Sequence, residues 1–149
     1  MKAFIFSCAL LAGSLSALAG NEIVVEQGTK QMVNGIGDHV EVCYAFAKGD
    51  KIIVEASSSK KLDKMVAIFY PDIIEVGRVK SAKKVSCQFV MPKEGVVVIR
   101  FVADRGGKTN VDYTIHREPA NDGVKNYDTK VVWLNTLDGA FPVAANSLR

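Results

Sequence analysis

The sequence predicts an all-β fold: an antiparallel β-sandwich, jelly-roll-like, of about eight or nine short strands. Three observations carry that reading. Apolar runs recur about every ten residues between His39 and His116. Short turn clusters separate them: Lys48-Gly49-Asp50, Tyr70-Pro71-Asp72, Pro92-Lys93-Glu94-Gly95 and Asp104-Arg105-Gly106-Gly107. No long stretch shows the 3.6-residue spacing of an amphipathic helix.

The first residues belong to a different physical problem. Met1-Lys2 supplies one positive charge, and Ala3 to Leu18 then carries none. Ala17-Leu18-Ala19 places small residues where a signal peptidase reads, so residues 1–19 are expected to be an export signal cleaved before Gly20. A retained anchor needs about 20 strongly apolar residues, and Gly13, Ser14 and Ser16 interrupt this run. Cys8 lies inside the apolar region rather than at the cleavage point, which argues against a lipoprotein signal.

Cleavage changes the remaining counts. The formal charge of +3 falls to about +2, too mild to suggest nucleic acid or an acidic membrane surface as partner. Roughly 130 residues remain, enough for one domain with a sizeable core. Of three cysteines, Cys43 and Cys87 stay. In an oxidising compartment two cysteines are most simply read as one disulfide. Closing a loop of about 45 residues would stabilise the fold by roughly 4 kcal/mol on chain-entropy grounds. The expected product is a soluble secreted or periplasmic protein of the cell envelope.

The elements follow in order. Glu22 to Glu26 reads as an edge or leading strand, and Asn34-Gly35-Ile36-Gly37-Asp38 as a reversal. A glycine pair there could cradle phosphate, but that motif needs a helix next and a strand follows. From His39 to Ala47, Val40, Val42, Tyr44 and Phe46 share one face. Cys43 lies on the opposite, outer one. Lys51 to Ala56 is a second strand. Lys64 to Tyr70 is apolar on both faces, as a central strand would be. Ile73 to Val79 returns, and Lys80 to Lys84 forms a basic, solvated turn. Val85, Cys87 and Phe89 share a face. Val96 to Val102 is the strongest β-signal and belongs mid-sheet. Arg105 to Lys108 reads as a hairpin turn. Val111, Tyr113 and Ile115 then alternate with Asp112, Thr114 and His116.

The domain is therefore placed at residues 20–118. Residues 119–149 form a C-terminal strand and tail, with a last strand at Lys130 to Leu134 and a loosely ordered end or linker beyond.

Chemistry-bearing residues are sparse. His39 and His116 occur without HExxH or paired-cysteine spacing, and both read as exposed strand-end residues. Asp38, Asp50, Asp63 and Asp72 fall in turns without the close spacing of a calcium loop, so they read as solvated. There is no GxSxG, and a disulfide would leave no thiol nucleophile. No catalytic residue, metal or cofactor is expected. Tyr70, Tyr127 and Trp133 are the aromatics least committed to the core, and could stack on sugar or a partner's side chains.

One stretch has a family likeness. Cys43-Tyr44, Lys48-Gly49-Asp50, Tyr70-Pro71-Asp72, Phe89, Pro92 to Gly95, Ile99-Arg100-Phe101 and Val111 to Ile115 resemble jelly-roll β-sandwich modules. Two kinds are meant, the bacterial pre-peptidase C-terminal domain and the GOLD domain of secretory cargo proteins. The likeness covers residues 39–116. In the GOLD pattern the second cysteine falls around Ile99 to Phe101, whereas this chain has Cys87, and no membrane helix follows. The bacterial accessory module implies binding or stabilising without catalysis, and neither family supplies functional residues to carry over.

Together these features lead to the expectation of an exported, non-enzymatic module binding a protein or glycan at the cell envelope. The alternative is a structural, self-associating envelope or filament subunit. A small secreted hydrolase ranks third.

Overall fold

The computed structural model describes residues 22–33, 37–104 and 106–148. The expected export signal lies outside the described residues, as do Asn34-Gly35-Ile36 and Arg105. Among the described residues there are ten strands: β1 (Ile23–Met32), β2 (His39–Phe46), β3 (Lys51–Ser58), β4 (Leu62–Tyr70), β5 (Ile74–Lys80), β6 (Lys84–Val90), β7 (Gly95–Ala103), β8 (Thr109–Glu118), β9 (Val131–Thr136) and β10 (Gly139–Ala144).

The first eight form two four-stranded antiparallel sheets, ordered β1-β8-β3-β6 and β2-β7-β4-β5. That interleaving is the strand order of a jelly roll. β7, the strongest β-signal, lies between β2 and β4, as its Val-rich run requires. The short links β2–β3, β3–β4, β5–β6 and β7–β8 carry the chain from one sheet to the other. The turn around Gly106-Gly107 is thus a crossover between sheets, and not the expected hairpin. Among the first eight strands the chain stays in one sheet only between β4 and β5.

Alternation fixes which side chains meet inside. Val42 and Phe46 of β2, Ile52 and Val54 of β3, Met65 and Phe69 of β4, and Ile99 and Phe101 of β7 are buried in one cluster. Phe89 of β6 and Tyr113 and Ile115 of β8, which share a sheet with β3, complete it. Tyr113 stacks obliquely on Phe101 at 5.8 Å and donates its hydroxyl to Glu26 at 3.0 Å.

The expected disulfide is absent; Cys43 and Cys87 are both thiols. Cys43 sits on β2, an edge of one sheet, and its side chain points away from the main core. Cys87 sits on β6 of the other sheet, with its side chain in the core beneath β5. Three strand spacings of about 4.8 Å separate β2 from β5, and sheets pack about 10 Å apart. A disulfide needs Cα atoms within about 7 Å.

Candidate functional site

The described part of the C-terminal segment is folded rather than loosely ordered. Its footing is a buried ion pair. Asp50, wholly enclosed, accepts from Arg117 Nε at 2.6 Å, and Arg117 is 2% exposed. The same carboxylate accepts from the backbone N–H groups of Ala47 at 3.0 Å and Ala120 at 3.1 Å. The guanidinium also donates to the carbonyls of Lys125, at 3.1 Å, and Val124. Asp50 is therefore no solvated turn acid. It joins the β2–β3 turn to β8 and to the chain beyond it.

From there the path is directed step by step. Asn121 caps a single 3-10 turn (Asp122–Val124), accepting from the Gly123 N–H at 2.9 Å. Tyr127 lies under the Arg117 guanidinium, 5.7 Å from its ring centre, and donates its hydroxyl to Glu94 at 3.0 Å. Burial, reinforced by Glu94 and partly offset by Asn146, pushes the Tyr127 phenol up to about 12. The Thr129 carbonyl accepts from Ala45 N–H at 2.9 Å, so the chain runs beside the edge of β2.

β9 and β10 then pair as a hairpin, from Val131 opposite Ala144 to Thr136 opposite Gly139. Ala144 packs with Ala45 and Val96 in a second, smaller core, on the outer face of the β2-β7 sheet. Cys43, Tyr70, Tyr127 and Val131 surround it. Phe141 meets the Tyr70 ring edge-on, at 5.8 Å and 79°. The Trp133 indole lies beside the Cys43 thiol. Burial raises that thiol above its ordinary pKa, while the neighbouring indole works the other way.

The three aromatics singled out from sequence thus gather around one hairpin. Tyr70 and Tyr127 serve as its footing, and Trp133 keeps 48% of its surface exposed. Beside it stand residues that sequence reasoning passed over: Val132 and Leu134, each 39% exposed, and Leu137, fully exposed in the turn. From Val131 to Leu148 the only charged residue is Asp138. An unbroken apolar run without charge, Val131 to Leu134, was the available signal. It cannot bury both faces against a single sheet.

The remaining candidates disperse. His39 is half exposed at the start of β2, as expected, with Nε2 4.0 Å from Glu41. His116 is mostly covered instead, with Nδ1 2.6 Å from Glu22 and Nε2 3.8 Å from Glu55. Pairing of β1 with β8 encloses it, placing Val24 directly opposite. Asp63 lies 3.8 Å from Lys64 and Asp72 lies 2.9 Å from Lys93, while Asp38 accepts from the Val33 and His39 backbone. Among the described residues no three His, Cys, Asp or Glu side chains gather as metal ligands, and no helix is long and apolar enough to cross a membrane.

No family model and no curated protein matches this chain. Among solved structures, a family two carbohydrate esterase from Cellvibrio japonicus is similar over 67% of this chain, with 13% identity and a TM-score of 0.37. The match covers 35% of that esterase, so this chain spans about a third of its length.

Proposed function

We propose that this protein is an exported, non-enzymatic β-sandwich module that binds a protein or glycan at the cell envelope, with the β9–β10 hairpin as its contact surface. One observation carries the proposal: Val132 and Leu134 stand exposed on the outer face of an anchored hairpin whose one charged residue is Asp138, with Trp133 half exposed from the other face and Leu137 fully exposed in the turn. Contiguous apolar surface on a well-anchored element is the usual mark of a docking face, and a half-exposed indole suits either a sugar ring or a partner's side chain. The likeness of residues 39–116 to accessory modules points the same way.

The test compares the wild-type protein with Val132→Ser, Trp133→Ser and Leu134→Ser combined, on a glycan array and in capture from envelope extract. Retention by the wild type and loss by the variant, with unchanged unfolding, is the expected result. Blank readings for both proteins would overturn the proposal.

A second reading, self-association, draws on the edges of the sheets. β1, β2, β5 and β6, the edge strands of the sandwich, all carry charged residues, a common protection against pairing. β9 carries none and pairs with β10 alone among the described strands. Sedimentation at rising concentration decides it: a strictly monomeric species would remove the reading.

A further inference from the structure

Strands β3, β5 and β7 all run toward the same end of the sandwich, the end opposite the hairpin's footing. Their outgoing loops therefore meet there. Between them lies an open cleft of about 370 Å³ lined by Ser59, Lys60, Lys61, Lys83, Asp104 and Gly106. Exposed Lys80, Lys84 and Lys108 stand on the same loops and strand ends. The mild overall charge of +3 conceals this concentration at one pole.

The loops are tied to one another through their backbones. Ser58 N–H donates to the Lys83 carbonyl at 2.7 Å, and the Ser58 hydroxyl lies 2.6 Å from the Lys60 carbonyl and 3.2 Å from that of Lys83. Leu62 N–H donates to Ala82 at 2.9 Å, and Ser81 N–H donates to Asp63 at 2.8 Å. Ser59 N–H donates to the Asn110 carbonyl at 2.9 Å, and Ser59 Oγ accepts from Asn110 N–H at 3.0 Å. Lys60 Nζ reaches across to the Gly106 carbonyl at 3.3 Å. Like charges held together this way repel and weaken the fold, and they concentrate a positive potential over the cleft. A bound anion reverses that cost.

We propose that this cleft binds a phosphate- or sulfate-bearing glycan. The ammonium groups take the anionic substituents, while Asp104 and the Gly106 carbonyl supply acceptors suited to sugar hydroxyls. Among the described residues no aromatic ring lines the cleft, as stacking on nucleic-acid bases would need. No large apolar side chain lines it either, as insertion into a bilayer would need. The site is separate from the hairpin and stands whether or not the hairpin binds a partner.

The experiment titrates the full chain with dextran sulfate, neutral dextran, a single-stranded oligonucleotide and anionic phosphatidylglycerol vesicles at low salt. Dextran sulfate is expected to bind, with affinity falling as salt rises, and neutral dextran is not. Lys60→Ala, Lys61→Ala and Lys83→Ala together should weaken binding by about a hundredfold, taking each lysine at its usual worth on an anionic surface. A control removing the same charge from the other end, Lys48→Ala, Lys93→Ala and Lys125→Ala, should change it by no more than about threefold. Reversal at one site, Lys83→Glu, repeats the test in a chain that keeps its other lysines. Equal losses in the two triple variants, absent binding of dextran sulfate, or tighter binding of oligonucleotide or vesicles would each overturn the proposal.

Discussion

Arg117 and Asp50 meet at 2.6 Å with both side chains closed off from solvent, and the two residues are held by different elements, β8 and the end of the β2–β3 crossover. The pair is fully served by hydrogen bonds: every remaining partner is a backbone group of the turn or of the C-terminal segment. It therefore couples the sandwich to the hairpin.

Replacing Arg117 by Met is expected to cost about 3–5 kcal/mol, because Asp50 is left as an unpaired buried charge. Urea unfolding measures the loss. Hydrogen exchange should show the Val131–Ala144 amides opening first. The double variant Asp50→Asn with Arg117→Met should lose less than the sum of the single variants.

Alkaline pH gives an independent reading of the two enclosed phenols. Tyr113 is pushed up to about 12, first by burial and then by Glu26, and Tyr127 to about 12, first by burial. A raised folded-state pKa means the native protein resists losing the proton. Its contribution is intact below the ordinary tyrosine value near 10 and is lost as pH rises toward 12. Stability should fall across that window, and Tyr113→Phe and Tyr127→Phe should each remove one late ionisation from the absorbance titration at 295 nm.

The thiols make a third case. With no bond between Cys43 and Cys87, dithiothreitol is expected to leave the unfolding midpoint unchanged, whereas breaking a bridge over this loop would cost about 4 kcal/mol. Iodoacetamide should label Cys43 slowly in the native protein, and Cys87 only once the core opens. Non-reducing mass spectrometry two mass units low would sink this expectation.

Packing between β5 and β6 offers the sharpest test of the facing sheets. A Cβ placed on Gly77 would stand 2.6 Å from Cys87 Sγ and 3.3 Å from Phe89 Cδ1. Gly77→Ala should therefore destabilise by about 1–3 kcal/mol. Adding Cys87→Ala removes the sulfur and should recover part of that loss. Strict additivity of the two changes would contradict the contact.

Most of the sandwich was legible because its strands are patterned by burial. Val96 to Val102 and Val111 to Ile115 state their position through alternation and β-branched content. The second half of β1 was not legible. Gln27 to Gln31 is polar and lies on an edge, where it is held by β8 backbone and by pairs such as Thr29–Asp112 and Gln31–Asn110. β10 escaped for a related reason. Gly139, Ala140 and Pro142 have weak strand preference, and Pro142 is tolerated because β10 pairs on one side only. The Asp50–Arg117 pair was hidden by sequence distance, since Gly49-Asp50 looks like any turn. Trp133 was found as an unassigned aromatic, but its neighbours count as exposed only once the hairpin's docked face is known.

The interleaved strand order also governs how the chain comes together in time. β1 has its only described partner in β8, and β2 has its in β7, so each outer strand waits for the far end of the domain. A ribosome or translocase feeding the chain N-terminus first delivers β1 and β2 long before either can pair. Nearly all the pairing is non-local, a topology that folds in about milliseconds to seconds. For that interval the early strands travel unpaired, and the charges along β1 and β2 keep them from finding one another's copies.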